Sequence, residues 1–307
     1  MTNTTDLRYQ LDSPRVTGRR QVKVSCPQCG RKRCFVRYVD TRDQCRYVHD
    51  TVGRCDHEQS CGYHYRPSEF FRDRPWERPA DGRQSGTAYT PPPLPPLQPL
   101  PMDYVRRWHS GQSVFWQWMT TDAARRLHLS DDDLLRVFTD YQLGATRQGD
   151  VIFWQIDVQG RVRSGHVMAY RNDGHREGRQ TWFHTLLQRQ GLLPLDFPLY
   201  QCLFGEHLLT SRPEAHVCVV ESEKTALLMA AYLPEHVWLA TCGSNGLKPE
   251  RLQCLRGRRV TVFPDSGCLD KWSRQMRQTQ GISYNIAAHL EQYPANTDLA
   301  DLLLREV

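Results

Sequence analysis

The chain has 307 residues, 39% hydrophobic and 24% charged, enough for two medium domains or for one medium and two small ones, each with its own core. No apolar run reaches bilayer-spanning length and the start MTNTTDLRYQ has neither the basic nor the apolar part of a signal peptide, which argues against a membrane or secreted protein; a cytoplasmic setting is expected. The net charge of +6 is carried by residues 1–80, where 16 Lys and Arg face 10 Asp and Glu, and that imbalance points to a polyanionic partner, most commonly nucleic acid.

Six of the 11 cysteines fall within the first 61 residues. In a reducing compartment such clustering favours metal over disulfides, while the other five read as core packing. Cys26 and Cys29 in CPQCG have the spacing of a zinc-ribbon knuckle, and Cys55 and Cys61 in GRCDHEQSCGYH form a looser second pair. Thiolates from two such turns, joined by strand-like sequence, close a tetrahedral Zn²⁺ site; His57 is an alternative to one of the second pair. Cys34 and Cys45 lie in strand-like runs and are expected to pack, with His49 and His64 in solvent or hydrogen-bonded. Arg31, Lys32, Arg33, Arg37 and Arg46 alternate with Phe35, Tyr38 and Tyr47, which offers charge for phosphates and rings for unpaired bases. A ribbon with a merely basic surface is the alternative. The expected module is a small zinc ribbon over residues 1–75.

Residues 76–102 are so proline-rich that an extended linker is expected; PPPLPPLQPLP also fits an SH3-type ligand. From Tyr104 to Tyr141 the period is helical, with Asp131, Asp132 and Asp133 starting a helix that carries Leu134, Leu135 and Val137. DVIFWQID, RVRSGHVMAY and QTWFHTL then read as three antiparallel strands, giving an α+β middle segment over 103–212. Beyond Leu208 the pattern becomes strand HVCVV, helix SEKTALLMAAYL ended by Pro234, strand HVWLA, loop TCGSNG, a short helix from Pro249, and strand RRVTVFP. This βαβαβ alternation predicts an α/β domain with a mostly parallel sheet over 213–307.

In such a sheet the strand C-termini share one edge, where ligands bind. Glu221 follows one strand and Asp265 another, so two carboxylates distant in sequence are expected to meet there and to suit Mg²⁺ or Mn²⁺. Ser222 is a good N-cap, which sets the helix N-terminus at the same edge, and Lys224 can neutralise phosphate charge. Glu223 either shares in this site or decorates the first helical turn, where negative charge is favoured.

Residues 215–304 resemble a Toprim domain, the catalytic fold of DnaG-type primases, topoisomerases and several small nucleases, through VVESEKTAL, ATCGSNG and FPDSG. The resemblance implies Glu221 as general acid/base and Asp265 as principal metal ligand. It departs at Gly267, which stands where the family's second aspartate would be; Asp270, or Asp298 and Asp301, are the substitutes on offer. The order of zinc ribbon, linker, antiparallel segment and Toprim-like segment is also similar to DnaG-type primases. By that likeness Arg163, His166, Arg171 and Arg176 contact phosphate and Trp182 or His184 stacks on a base. The whole looks most like short primase-like proteins of bacterial mobile elements. GSNGLK has the wrong spacing for a Walker A loop and the chain ends at Val307, so a fused helicase is not expected and a separate one is. The implied function is primase-like nucleotidyl transfer on single-stranded DNA, using nucleotides, in replication of such an element. The alternatives are a metal-dependent Toprim-type nuclease and a zinc-containing DNA-binding protein without catalysis.

Overall fold

A computed structural model describes residues 8–57, 61–79, 96–243 and 245–305. They fall into two compact units, one within Met1–Pro95 together with Leu193–Phe197, the other within Pro96–Leu192 and Pro198–Val307. Most of the expected proline linker, residues 80–95, lies outside the described residues.

The first unit contains β1 (Tyr9–Leu11), α1 (Pro14–Thr17), β2 (Lys23–Val24), β3 (Phe35–Asp40), β4 (Arg46–Tyr47), β5 (Gly53–Cys55), β6 (His64–Tyr65) and α2 (Pro67–Asp73). The β3 sequence FVRYVD is rich in β-branched and aromatic residues, and it pairs antiparallel with β1, β2, β4 and β5. Its apolar interior is two small patches: Phe35 with Cys26, Cys34 and Cys55, and Val52 with Phe70 and Phe71 of α2. Cores this small rarely sustain a fold without a staple such as a metal.

The second unit opens with the expected helical stretch, broken into α3 (Met102–Trp108), α4 (Val114–Trp118), a π turn (Met119–Ala123), α5 (Ala124–Leu127) and α6 (Asp131–Asp140). Ser130 caps α6: its Oγ accepts from Asp133 N at 3.2 Å, and Asp133 Oδ2 accepts from Ser130 N at 3.2 Å. An antiparallel sheet of order β10-β9-β8-β7 follows, from β7 (Gly144–Ala145), β8 (Val151–Ile156), β9 (Val162–Tyr170) and β10 (Arg176–Trp182). The segment QTWFHTL is not one strand. It leaves the sheet after Trp182 and becomes α7 (Phe183–Arg189), because Phe183 turns inward onto Tyr104, Trp108 and Trp154 and the next buried apolar residue, Leu187, comes one helical turn later.

The chain continues as α8 (Leu208–Ser211), β11 (Val217–Val220), α9 (Glu223–Tyr232), β12 (Val237–Ala240), α10 (Pro249–Leu252), β13 (Val260–Val262), α11 (Leu269–Arg277), β14 (Tyr284–Ile286) and α12 (Leu299–Arg305). The four strands form a parallel sheet of order β12-β11-β13-β14, as the alternation predicts. Every residue of β11 and β12 is buried, which explains their continuous rather than alternating apolar runs. Residues 225–231 of α9 are all buried too; full burial of Leu227 and Leu228 contributes roughly 2 kcal/mol each. Tyr141 ties α6 to β12 by donating to Trp238 O at 2.6 Å. Chain order reverses about β11: β12 is added on one side and β13 on the other. Such a reversal opens a crevice beyond the strand C-termini. No helix among the described residues is long and apolar enough to cross a membrane.

Candidate functional site

Glu221 immediately follows β11, and Asp265 follows β13 by three residues. The pairing Val219↔Val262 is extended by Phe263 N donating to Val219 O at 2.8 Å, so the continuing register sets Glu221 beside Pro264, next to Asp265. The two carboxylates therefore stand on adjacent strands at the reversal point. Asp265 is pushed up to about 8, first by burial and then by the negative charges of Glu221 and Asp298, with Arg176 opposing and Asp301 adding.

Local turns set these positions. Asp265 O accepts from Cys268 N at 2.9 Å, and Gly267 has φ +84, the left-handed conformation required at the third position of this turn. The residue that departs from the Toprim pattern is thus the one the turn needs as glycine. Glu291 Oε1 accepts from Gly267 N at 3.0 Å and Leu269 N at 3.2 Å, completing the start of α11. Ser266 is bonded to Thr297 and Tyr293, which draws the chain before α12 to the same edge. There Asp298 Oδ2 accepts from Thr225 Oγ1 at 2.6 Å, while Asp298 and Asp301 each accept the other's backbone N–H. Asp270, in the first turn of α11, is exposed and is not among the leading charges on Asp265.

Ser222 caps α9, its Oγ accepting from Thr225 N at 3.1 Å. Lys224 is committed internally: Nζ donates to Gly174 O at 2.9 Å and lies 4.7 Å from the Trp118 ring centre. Burial lowers its pKa, against the attraction of Asp298 and Asp301. Glu223 does not decorate an exposed turn. It is 1% exposed and accepts from His166 Nδ1 at 2.6 Å; burial opposes its charge, but His166 and Arg176 hold its pKa below the ordinary value. Nothing in the sequence marks this pair, since its members are 57 positions apart. After β12, Gly246 packs so tightly on the Thr241 carbonyl that a Cβ has no room, which fixes the small-residue loop.

Of the proposed nucleic-acid contacts, Arg163 is held by Asp157 at 2.8 Å and Tyr200 O at 3.2 Å, so its charge is used within the fold. Arg171 pairs with Asp173 at the exposed hairpin turn, and Arg176 is exposed on β10. Trp182 is half-buried, stacked on His166 with ring centres 4.5 Å apart and an interplanar angle of 11°. His184 is buried against Ser164 Oγ at 2.8 Å, and burial pulls its pKa down to about 4.

In the ribbon, the ligand atoms of Cys26, Cys29, Cys55 and Cys61 all lie within 4.8 Å of one another, and among the described residues this is the only Cys, His, Asp or Glu group of three or more that converges so closely. Cys26 Sγ is 3.7 Å from Cys61 Sγ and Cys29 Sγ is 4.0 Å from Cys55 Sγ. A tetrahedron of thiolates at Zn–S distances of about 2.3 Å has edges of roughly 3.8 Å, so the four fit a structural Zn²⁺. The Arg31 backbone N–H holds the Cys29 thiol down to about 7, while burial pushes the Cys55 and Cys61 thiols up. Cys34 donates instead to Arg31 O at 3.1 Å, Cys45 to Val16 O at 3.6 Å, and the His57 backbone N–H donates to Cys55 Sγ at 3.4 Å. His49 bonds to Thr51 and His64 to Tyr38.

The expected pairing of rings with charges for bases needs correction. Phe35 is fully buried and cannot meet a base. Arg37 lies 3.7 Å over the Tyr47 ring and bonds to Asp50 at 2.5 Å, while Tyr47 OH donates to Asp12 at 2.7 Å. Arg31, Lys32, Arg33 and Arg46 are exposed.

A zinc beta-ribbon finger model matches residues 7–76. No curated protein matches the chain. Similar solved structures include a DnaG primase catalytic domain bound to ssDNA, at 14% identity and a TM-score of 0.43, covering 66% of this chain and 72% of that one. The E. coli primase catalytic core overlaps at 14% identity and 0.38, over 66% and 74%, and the Aquifex aeolicus primase zinc-binding and RNA polymerase domains at 15% and 0.32, over 66% and 52%. At these identities and scores the likeness says nothing of what this chain does. The model described as "Domain of unknown function (DUF6371)" matches residues 113–266, half of the chain, and the chain belongs to that family.

Proposed function

We propose that this protein is a primase-like nucleotidyltransferase with a Toprim-type site, acting on single-stranded DNA with nucleotides, in replication of a bacterial mobile element and alongside a separate helicase. Its main support is the adjacency of Glu221 and Asp265 at the chain reversal of a parallel sheet, where burial and mutual repulsion push Asp265 up to about 8. Two partly buried carboxylates that repel one another are relieved by a divalent cation. Glu221, Asp265 and Asp298 are the residues that would hold Mg²⁺ or Mn²⁺, and the cation would neutralise charge on the phosphate in transfer. Glu221 accepts the proton of the attacking 3′-hydroxyl. Arg176 and Arg171 meet the phosphates of the strand, and Trp182 offers a ring edge to a base, while Lys224 braces the β9–β10 turn. The ribbon's Arg31, Lys32 and Arg33 hold the template by charge.

Glu221→Gln removes the proton acceptor with little change in shape. Template-directed synthesis with Mg²⁺ or Mn²⁺ is expected to fall at least 100-fold, with zinc content and melting temperature unchanged. Undiminished synthesis contradicts the assignment, and products shorter than the labelled template identify a nuclease. Gly267 and the exposed Asp270 favour one other reading, a DNA-binding protein without catalysis; it predicts salt-sensitive binding indifferent to divalent metal.

A further inference from the structure

The buried pair His166–Glu223 has no part in the reaction so far described. A carboxylate can only accept, so the 2.6 Å contact puts the hydrogen on Nδ1 and leaves Nε2 to take or give a proton. Among the described residues His166 Nε2 makes no hydrogen bond, and it is not one of the unpartnered polar atoms sealed from solvent. Trp182 holds the ring flat against its own face.

Three links place this pair at the reactive edge. Glu223 is two residues beyond Glu221, in the first turn of α9. Arg176 of β10 acts on the charges of both Glu221 and Glu223. Cys242, from the loop after β12, faces Glu223 and is held by Gln155 Nε2 of β8 at 3.4 Å. The charged and titratable groups facing the pair are therefore Arg176, Cys242 and, paired with Arg176 across β9 and β10, Tyr170, while Glu221 faces Arg176.

We propose that His166, oriented by Glu223, is the general acid of the site, donating its Nε2 proton to the oxygen that leaves phosphorus. The assignment rests on the nucleotidyl-transfer reading. The bond from the 3′-oxygen to the α-phosphorus forms, and the bond from that phosphorus to the bridging oxygen of the departing pyrophosphate breaks. Its electron pair stays on pyrophosphate, which takes the Nε2 proton. Glu221 ends protonated and His166 neutral, and solvent restores both.

The test is the pH–rate profile of primer extension by the full chain with Mn²⁺, a single-stranded template and nucleoside triphosphates. A general acid must be protonated, so the wild-type rate is expected to fall as pH rises through the imidazole pKa. His166→Gln is expected to lower the rate about 100-fold or more and to abolish that fall, with template affinity unchanged and the fold retained. A β,γ-dihalomethylene triphosphate, whose leaving group is less basic, is expected to recover part of the loss. Glu223→Gln keeps the hydrogen bond but removes the charge that stabilises imidazolium, so the fall is expected at lower pH. Equal loss with both leaving groups, or an active His166→Gln with the wild-type profile, overturns the assignment. If His166→Gln does not fold, an unshifted profile in Glu223→Gln overturns it. A wild-type protein that extends nothing overturns the underlying reading and this assignment together, whereas an active wild type with an indifferent variant overturns this assignment alone.

Discussion

In the ribbon all four thiols come from two short stretches of sequence, Cys26 with Cys29 and Cys55 with Cys61, and the β3–β5 pairing runs beside them. At the sheet edge the carboxylates come from the ends of β11 and β13 and from the chain before α12, stretches separated by two crossovers and a long return. The thiols have already converged to ligating distance, whereas the carboxylates feel one another's charge without closing into an equally tight set. The contrast follows from chemistry. Neutral thiols pack together at little cost, while carboxylates in low dielectric repel and are held by turns, caps and an opposing arginine.

The largest effect should come from taking the ribbon's metal away. Chelation, or Cys55→Ser, is expected to abolish hydrogen-exchange protection in β3 and β5 while β11 and β12 keep theirs, since structural zinc contributes on the order of 10 kcal/mol to small domains. Cys34→Ser should leave one zinc per chain by metal analysis; loss of zinc there redraws the ligand set. At the sheet edge the fixed element is backbone, so Gly246→Ala, which sets a methyl against the Thr241 carbonyl, should cost roughly 3 kcal/mol in denaturant unfolding. Gly267→Ala, strained by its positive φ, should cost about 1–2 kcal/mol and loosen the turn that carries Asp265.

Smaller again is the electrostatic contribution of the ribbon surface. Replacing Arg31, Lys32 and Arg33 with alanine should reduce the salt slope of single-strand binding by about 0.7 per lost phosphate contact, with no change in metal content. Near neutral pH, where its imidazole is mostly uncharged whether folded or unfolded, the smallest effect expected is that of His184. Its folded pKa of about 4 lies below the unfolded value, so the unfolded chain binds the extra proton first and stability is lost as pH falls from about 6.5 to 4. His184→Gln should flatten that part of the stability curve.

What the sequence made legible follows the same contrast. Knuckle spacing is local, so the four cysteines could be named; the runs HVCVV and HVWLA are strands because both faces are covered, and Ser222 caps α9 as its residue type suggests. The helix in FHTLL is hidden because TWFHTL alternates like a strand, and only the aromatic pocket around Phe183 turns it out of the sheet. Phe35 and Glu223 escape sequence reasoning for one reason. Each has its partner far away in sequence, in Cys55 and His166 respectively, and burial of this kind leaves no periodic trace.

The central claim is that Glu221 and Asp265 share a divalent cation at the end of the parallel sheet. Its most direct test is Mn²⁺ binding, followed by electron paramagnetic resonance on the zinc-loaded chain at pH 8, for the wild type, Glu221→Gln and Asp265→Asn. One saturable site in the wild type, weakened at least tenfold in either variant, is predicted. Binding of equal strength in all three, or none in the wild type, contradicts it.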